Sequence, residues 1–161
     1  MYMKRTRTDI ILHDSGHILT AKVHHIKIFE IHLNFLANQR GNNYIVITIL
    51  EPPCYSLRLV KNQIIFAVSG VGAEKAVARR CFAANSFLPD YTQAMEYAYA
   101  YLYSIGLENP DVYQAHRLVR FHERKVLLQL RKPSSKLRLR AIAVRLWRFK
   151  KPLAKIREMR W

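Results

Sequence analysis

Residues 12–21 read Leu-His-Asp-Ser-Gly-His-Ile-Leu-Thr-Ala, with His13 and His17 four positions apart. Isoleucine, leucine and valine residues within and around this stretch predict an α-helix over about residues 8–23. Four residues of helix advance about 400° and about 6 Å, so both imidazoles leave the same face. This separation suits two ligands of one metal ion.

The histidine pair alone is a weak metal signal in a chain with seven histidines, because two partly exposed histidines on a helix give the same pattern. Asp14 strengthens the metal interpretation, since zinc peptidases of the H-E-x-x-H type keep their catalytic base at this position. The remaining candidates, His24, His25 and His32, follow the helix and are expected to be exposed or capping residues.

The rest of the pattern predicts a mainly helical α+β fold with one small β-hairpin. Residues 26–36 and 43–50 are rich in Ile, Phe and Val, and the Asn- and Gly-containing segment between them suits a reversal. Further helices are expected at about 57–83, 91–105, 111–131 and 135–150, the last capped by serine. Glycines inside the 57–83 helix, Gly70 and Gly72, indicate close packing against another element.

Length and composition indicate one globular domain over residues 1–161, with 50% apolar residues and a net charge of +16. Residues 117–161 contain 16 basic and two acidic residues, which indicates an anionic partner such as nucleic acid or a membrane surface. Two separated cysteines and the lack of a long apolar stretch argue against a disulfide scaffold, a membrane span or secretion. We therefore expect a cytoplasmic protein.

Three segments together resemble the peptidase domain of the FtsH-type, ATP-dependent zinc metalloproteases. Residues 12–21 are similar to that family's H-E-A-G-H helix, including the glycine before the second histidine. Residues 67–75, Ala-Val-Ser-Gly-Val-Gly-Ala-Glu-Lys, resemble its segment of apolar residues, glycine, alanines and paired acids. Residues 88–94, Leu-Pro-Asp-Tyr-Thr-Gln-Ala, resemble the N-D-hydrophobic-x-x-A segment that supplies a third metal ligand. The order and spacing of the three segments fit the family.

The resemblance implies a zincin-like, FtsH-type domain with His13, His17 and Asp90 as ligands of Zn²⁺. It implies Asp14 as the catalytic base in peptide-bond hydrolysis by a metal-activated water. From its local sequence alone Asp90 is also a good helix N-cap, because Pro-Asp often precedes a helix. Glu74 and Glu96 are lesser candidates for the site, and an ordinary acid on a helix surface is the favoured interpretation of each.

Two departures from the family change what is expected of this chain. Asp14 replaces a glutamate, which moves the carboxylate back by about 1.5 Å, and a misplacement of about 1 Å can cost about a hundredfold in rate. A zinc-binding pseudopeptidase acting as a binding module is therefore the alternative, and a basic nucleic-acid-binding protein is a third. The 161 residues contain no G-x-x-x-x-G-K-[ST] loop, so ATP coupling is expected to need a separate ATPase partner. A homo-oligomer is the other expected assembly.

Two segments bear on partners. Residues 43–50 are a candidate edge strand that would align an extended peptide substrate, although a strand buried on both faces fits equally well. Residues 136–151 alternate basic and apolar residues, and such a segment suits anionic lipid, a phosphate backbone, or a helix packed on its own domain with solvated charges. The packed helix is the favoured interpretation.

Overall fold

The computed structural model describes residues 7–34, 44–49, 56–77, 84–148 and 153–157. Helices dominate this part of the chain, and a small antiparallel sheet accompanies them, so the predicted mainly helical α+β class is confirmed. The elements in chain order are α1 Arg7–Val23, β1 Ile28–Asn34, β2 Tyr44–Ile49, α2 Leu57–Ala67, α3 Ser69–Val77, α4 Ala84–Ser104, α5 Val112–Leu130, α6 Pro133–Arg148 and β3 Leu153–Arg157.

Helix α1 is the central element, and it packs mainly against α3 and α6. Its middle two turns are buried on nearly every side, including several polar residues. Gly16 allows this close packing, because a Cβ atom there would lie 2.4 Å from the Ser69 carbonyl oxygen. Burying polar groups costs free energy unless they have partners. Their concentration on α1 therefore indicates that this helix carries a candidate functional site.

The predicted helix over residues 57–83 is wrong in one respect, because the structure divides it into α2 and α3 at Val68. Residues 78–83 lie outside the described part of the chain. Next to the division, the Phe66 carbonyl accepts hydrogen bonds from the Ser69 hydroxyl at 2.6 Å and from the His17 ring at 2.8 Å. The break therefore places a backbone acceptor against α1.

Helix α4 begins seven residues earlier than the predicted start at residue 91, and it runs through Pro89. Asp90 consequently lies inside the helix, so the N-cap interpretation of this residue is wrong. Helix α5 begins as expected, with Asp111 and Gln114 forming a reciprocal capping box. Helix α6 begins at Pro133, a residue favoured at the first helical position, which overturns the predicted serine cap.

The three strands form a sheet in the order β2-β1-β3 with both pairs antiparallel. The predicted pairing of the first two strands is confirmed, while the turn between them lies outside the described residues. Among the described strands β2 is an edge, and Val46 and Thr48 on it are exposed. The alternative of a strand buried on both faces is therefore wrong. Strand β3 was not predicted, since its short Lys- and Arg-containing sequence gains its partner only through tertiary pairing.

The basic C-terminal region packs on the domain through α5 and α6. Helix α6 buries Leu139, Ile142 and Leu146 and exposes most of its charges, in agreement with the favoured interpretation of this segment. The Arg7 guanidinium lies 4.7 Å from the centre of the Trp147 ring, which links α1 to the end of α6. No helix in the described ranges combines the length and apolarity needed to cross a bilayer.

Candidate metal centre

Three side chains predicted as ligands meet at one point in the interior. The Nε2 atom of His13 lies 2.8 Å from Asp90 Oδ2 and 3.1 Å from His17 Nε2. The Nε2 atom of His17 lies 3.5 Å from the same Asp90 oxygen. Helix α1 supplies both imidazoles from one face, and α4 brings the carboxylate from 77 residues away along the chain.

The opposite nitrogen of each imidazole is held by a buried acceptor. His13 Nδ1 lies 2.7 Å from Glu74 Oε1, and His17 Nδ1 lies 2.8 Å from the Phe66 carbonyl oxygen. Both acceptors require a proton on Nδ1, so in the neutral form of each ring, which is the form that binds a metal, the Nε2 lone pair is directed at the meeting point. Metal-binding histidines commonly have this arrangement, which fixes the tautomer and the orientation of the ring.

Gly70 provides the space in which the two histidines meet. A Cβ atom on Gly70 would lie 2.4 Å from His13 Nε2 and 2.5 Å from His17 Nε2. The ligand atoms therefore lie directly against the backbone of α3. The close contact predicted for the glycine segment is confirmed, and at Gly70 the contact is with the candidate ligands.

The electrostatic environment of the cluster is negative. Burial lowers the pKa of His13, but hydrogen bonds to Asp90 and Glu74 and the nearby charge of Asp14 outweigh it and raise the pKa to about 9. Burial alone would raise the pKa of Asp90, yet its hydrogen bonds to His13 and His17 hold this pKa well below its usual range. The carboxylates of Asp90, Glu74 and Asp14 thus favour a positive charge where the three ligand atoms meet.

The donor set fits a single zinc ion. The three ligand atoms lie within 4.8 Å of one another, and tetrahedral bonds of about 2.0–2.2 Å need ligand atoms about 3.3–3.6 Å apart. The His17–Asp90 separation meets this value, and the two shorter separations need only a few tenths of an ångström of adjustment. Two imidazoles and one carboxylate are a typical ligand set of catalytic zinc. This is the one group with metal-ligand character found in the described ranges.

The other candidate residues have separate outcomes. Asp14 is buried, and its charge contributes to the raised pKa of His13, while its role as a catalytic base stays a prediction. The prediction for Glu74 is wrong, because this side chain is only 1% exposed and holds His13. Glu96 is exposed, as predicted. The remaining histidines of the first hundred residues, His24, His25 and His32, are not part of the cluster.

Glu74 was only a lesser candidate, although the sequence carries a signal for its burial. An acid that directly follows Gly-Val-Gly-Ala, within a segment of apolar and small residues, is expected to be buried with its helix. A buried carboxylate needs a partner, and the histidine pair is the obvious one.

Comparison with known proteins adds no relative to this geometry: no family model matches the sequence, and no curated protein is significantly similar to it. The FtsH-type resemblance therefore stays a prediction, carried by the three sequence segments and by the cluster that they form.

Proposed function

We propose that the protein is a zinc-dependent metallopeptidase whose metal is held by His13, His17 and Asp90. The observation that carries the proposal is the convergence of these three ligand atoms while both Nδ1 atoms are held by Glu74 and Phe66. A purely structural histidine pair does not need its Nε2 atoms directed at a third, distant carboxylate. A catalytic zinc site does need this, with a further position open to substrate.

Zinc, when bound there, would polarise a carbonyl group and lower the pKa of water. The chain's own contribution to hydrolysis is proton transfer by Asp14, which follows the first ligand in sequence and is buried beside it. Asp14 would take the proton of the attacking water and deliver it to the leaving amine. Because the carboxylate stands on a short side chain, we expect a slow reaction compared with that of a glutamate at the same position.

An edge strand supports a peptide as the substrate class. Strand β2 has one described neighbour, β1, and its other edge can accept main-chain hydrogen bonds from an extended peptide. Protection of Tyr44–Ile49 from proteolysis or amide exchange by a bound peptide is the expected sign of this mode.

The first test is metal content. Protein purified without chelators or a histidine tag is expected to contain about one zinc per chain, and His17→Ala and Asp90→Ala should lose it. His116→Ala is the matched control, because this histidine is exposed and outside the cluster. A wild-type protein without zinc, or variants that keep it, would contradict the proposed site.

The second test is turnover. The zinc-loaded protein should cleave an unstructured peptide mixture, Asp14→Asn should abolish cleavage, and Asp14→Glu should raise the rate. A zinc-loaded protein that cleaves nothing, with no gain in Asp14→Glu, would establish the pseudopeptidase alternative. Assays with and without added ATPases would test whether a separate unfoldase is needed. We propose that the protein and any such ATPase partner are cytoplasmic.

A further inference from the structure

A second cluster of histidines lies in a cleft of about 430 Å³ formed mainly by α2 and α5. Its walls combine three basic side chains, two side-chain amides and two imidazoles, with no acid among them. The basic side chains are Arg58, Lys61 and Lys125, the amides are Asn62 and Gln129, and the imidazoles are His24 and His122. None of these residues belongs to the candidate metal centre.

His122 is the buried polar group of this cleft. Its residue is 3% exposed, and its Nδ1 atom has no hydrogen-bond partner. A buried nitrogen without a partner is unfavourable, and a ligand that bonds to it would remove this cost. His122 lines the cleft from its buried side.

The potential in the cleft is positive. Burial lowers the pKa of His122 to about 4, and the charges of Lys61, Lys125 and His24 act in the same direction. Burial also lowers the pKa of His24, to which Lys61 and Arg58 contribute. The three basic residues Arg58, Lys61 and Lys125 are exposed at the opening. The Lys125 ammonium lies 4.3 Å from the centre of the Phe121 ring, a contact that a charge-assisted hydrogen bond to a ligand would replace.

We propose that this cleft binds a phosphate group carried by a small molecule. Lys61, Lys125 and Arg58 would donate charge-assisted hydrogen bonds to the phosphate oxygens, which are strong acceptors. The amides of Asn62 and Gln129 and the ring of His122 would supply neutral donors deeper in the cleft. The volume matches that of small-molecule sites, whereas a nucleic-acid strand follows an open groove and contacts successive phosphates.

The direct test is calorimetric titration of the full-length protein with inorganic phosphate and with pyrophosphate at fixed ionic strength. Pyrophosphate is expected to bind, and the double variant Lys61→Gln/Lys125→Gln should lose about tenfold to a hundredfold in affinity. The matched control is Arg138→Gln/Arg145→Gln, which removes the same charge from the exposed surface of α6 and should bind normally. Absence of binding, or an equal loss in both double variants, would overturn the proposal.

Two further arms identify what binds and where. A single-stranded oligonucleotide is the competing ligand. If it binds more tightly than pyrophosphate, and equally tightly to both double variants, then anions bind to the basic surface as a whole and the cleft site is overturned. His17→Ala should bind pyrophosphate as the wild type does, and a loss there would place the ligand at the metal centre instead. In the wild type, pyrophosphate should shift the imidazole nitrogen resonances of His122 and leave those of exposed His116 unchanged.

Discussion

The two buried histidine clusters of this protein have opposite surroundings. At His13, carboxylates of Asp90 and Glu74 overcome burial and raise the pKa to about 9. At His122, burial and the charges of Lys61 and Lys125 act together and lower the pKa to about 4. The imidazole of His13 thus faces negative charge, whereas the imidazole of His122 faces positive charge.

The difference indicates that the neighbours of an imidazole, more than the ring itself, set the charge of the ligand that its site favours. An imidazole oriented by a carboxylate is prepared for a cation, whereas one without a partner among lysines is prepared for an anion. Single substitutions in and around the two clusters can separate the two environments or show that they are alike.

The largest effect is expected for Gly70→Ala. The added methyl group would lie about where both ligand nitrogens now meet, 2.4 Å from His13 Nε2 and 2.5 Å from His17 Nε2. Zinc affinity, measured by competition with a chelating dye, should fall more than about a hundredfold. A loss of up to about a hundredfold is typical when the mutated residue only orients a metal ligand. Pyrophosphate binding at the cleft should not change.

The control for this variant is Gly72→Ala on the same helix. Its Cβ would lie 2.9 Å from Val126 Cγ1, the end of a side chain that can adjust. We expect normal zinc affinity there and a modest change in stability. Undiminished zinc binding in Gly70→Ala would show that the metal does not lie where the two rings meet.

A pH effect on stability is expected from His122. Because the folded pKa of about 4 lies below the ordinary value of 6.5, the contribution is fully present above pH 6.5 and is lost as the pH falls towards 4. Between pH 7 and pH 5 this amounts to about 2 kcal/mol of unfolding free energy. Urea denaturation at both pH values measures it in the wild type and in His122→Asn.

The variant should show a shallower decline of stability over this interval, and the difference between the two slopes isolates His122 from the other histidines. His116→Asn, an exposed control, should follow the wild type. If His122→Asn declines as steeply as the wild type, the imidazole is not held neutral by its basic neighbours. The groups that face it, Lys61, Lys125 and His24, would then need another role.

A smaller effect is expected for Glu74→Gln at the metal centre. The amide keeps the shape and an acceptor for His13 Nδ1 but removes the charge that favours a cation. Loss of such an orienting partner typically costs about 10–100-fold in metal affinity. Glu96→Gln, an exposed acid on α4, should bind zinc normally, and equal affinities in the two variants would contradict the role of Glu74.

The sequence predicted the parts of the candidate metal centre that depend on local geometry. The spacing of His13 and His17 requires only a helix, and helix α1 was correctly predicted. Asp90 was predicted as a ligand only through the resemblance, because its local sequence favours an N-cap and the ligand role depends on α4 bringing it to the two histidines of α1. His13 contacts Glu74 and Asp90, which lie 61 and 77 residues away along the chain. No periodicity in the sequence predicts contacts at such separations.

Other features could not be predicted because they arise from tertiary packing. The break at Val68 occurs in a segment without proline, next to a carbonyl that bonds to α1. Strand β3 exists as a partner of β1. The cleft joins Lys61 on α2 to His122 on α5, and either residue alone looks like part of an ordinary helix surface.

The smallest effect is expected at His25, a histidine with a backbone role. It is exposed and has a φ of 55°, in the left-handed region. The Ile26 and His25 N–H groups bond to the Ala21 and Lys22 carbonyls, as in the motif that ends helices with glycine. His25→Gly should therefore raise the unfolding free energy by about 0.5–1 kcal/mol, while His25→Ala should not. Zinc and pyrophosphate affinities should stay unchanged in both variants; a loss of either would mean that His25 belongs to one of the two clusters, and that the contrast between them is incomplete.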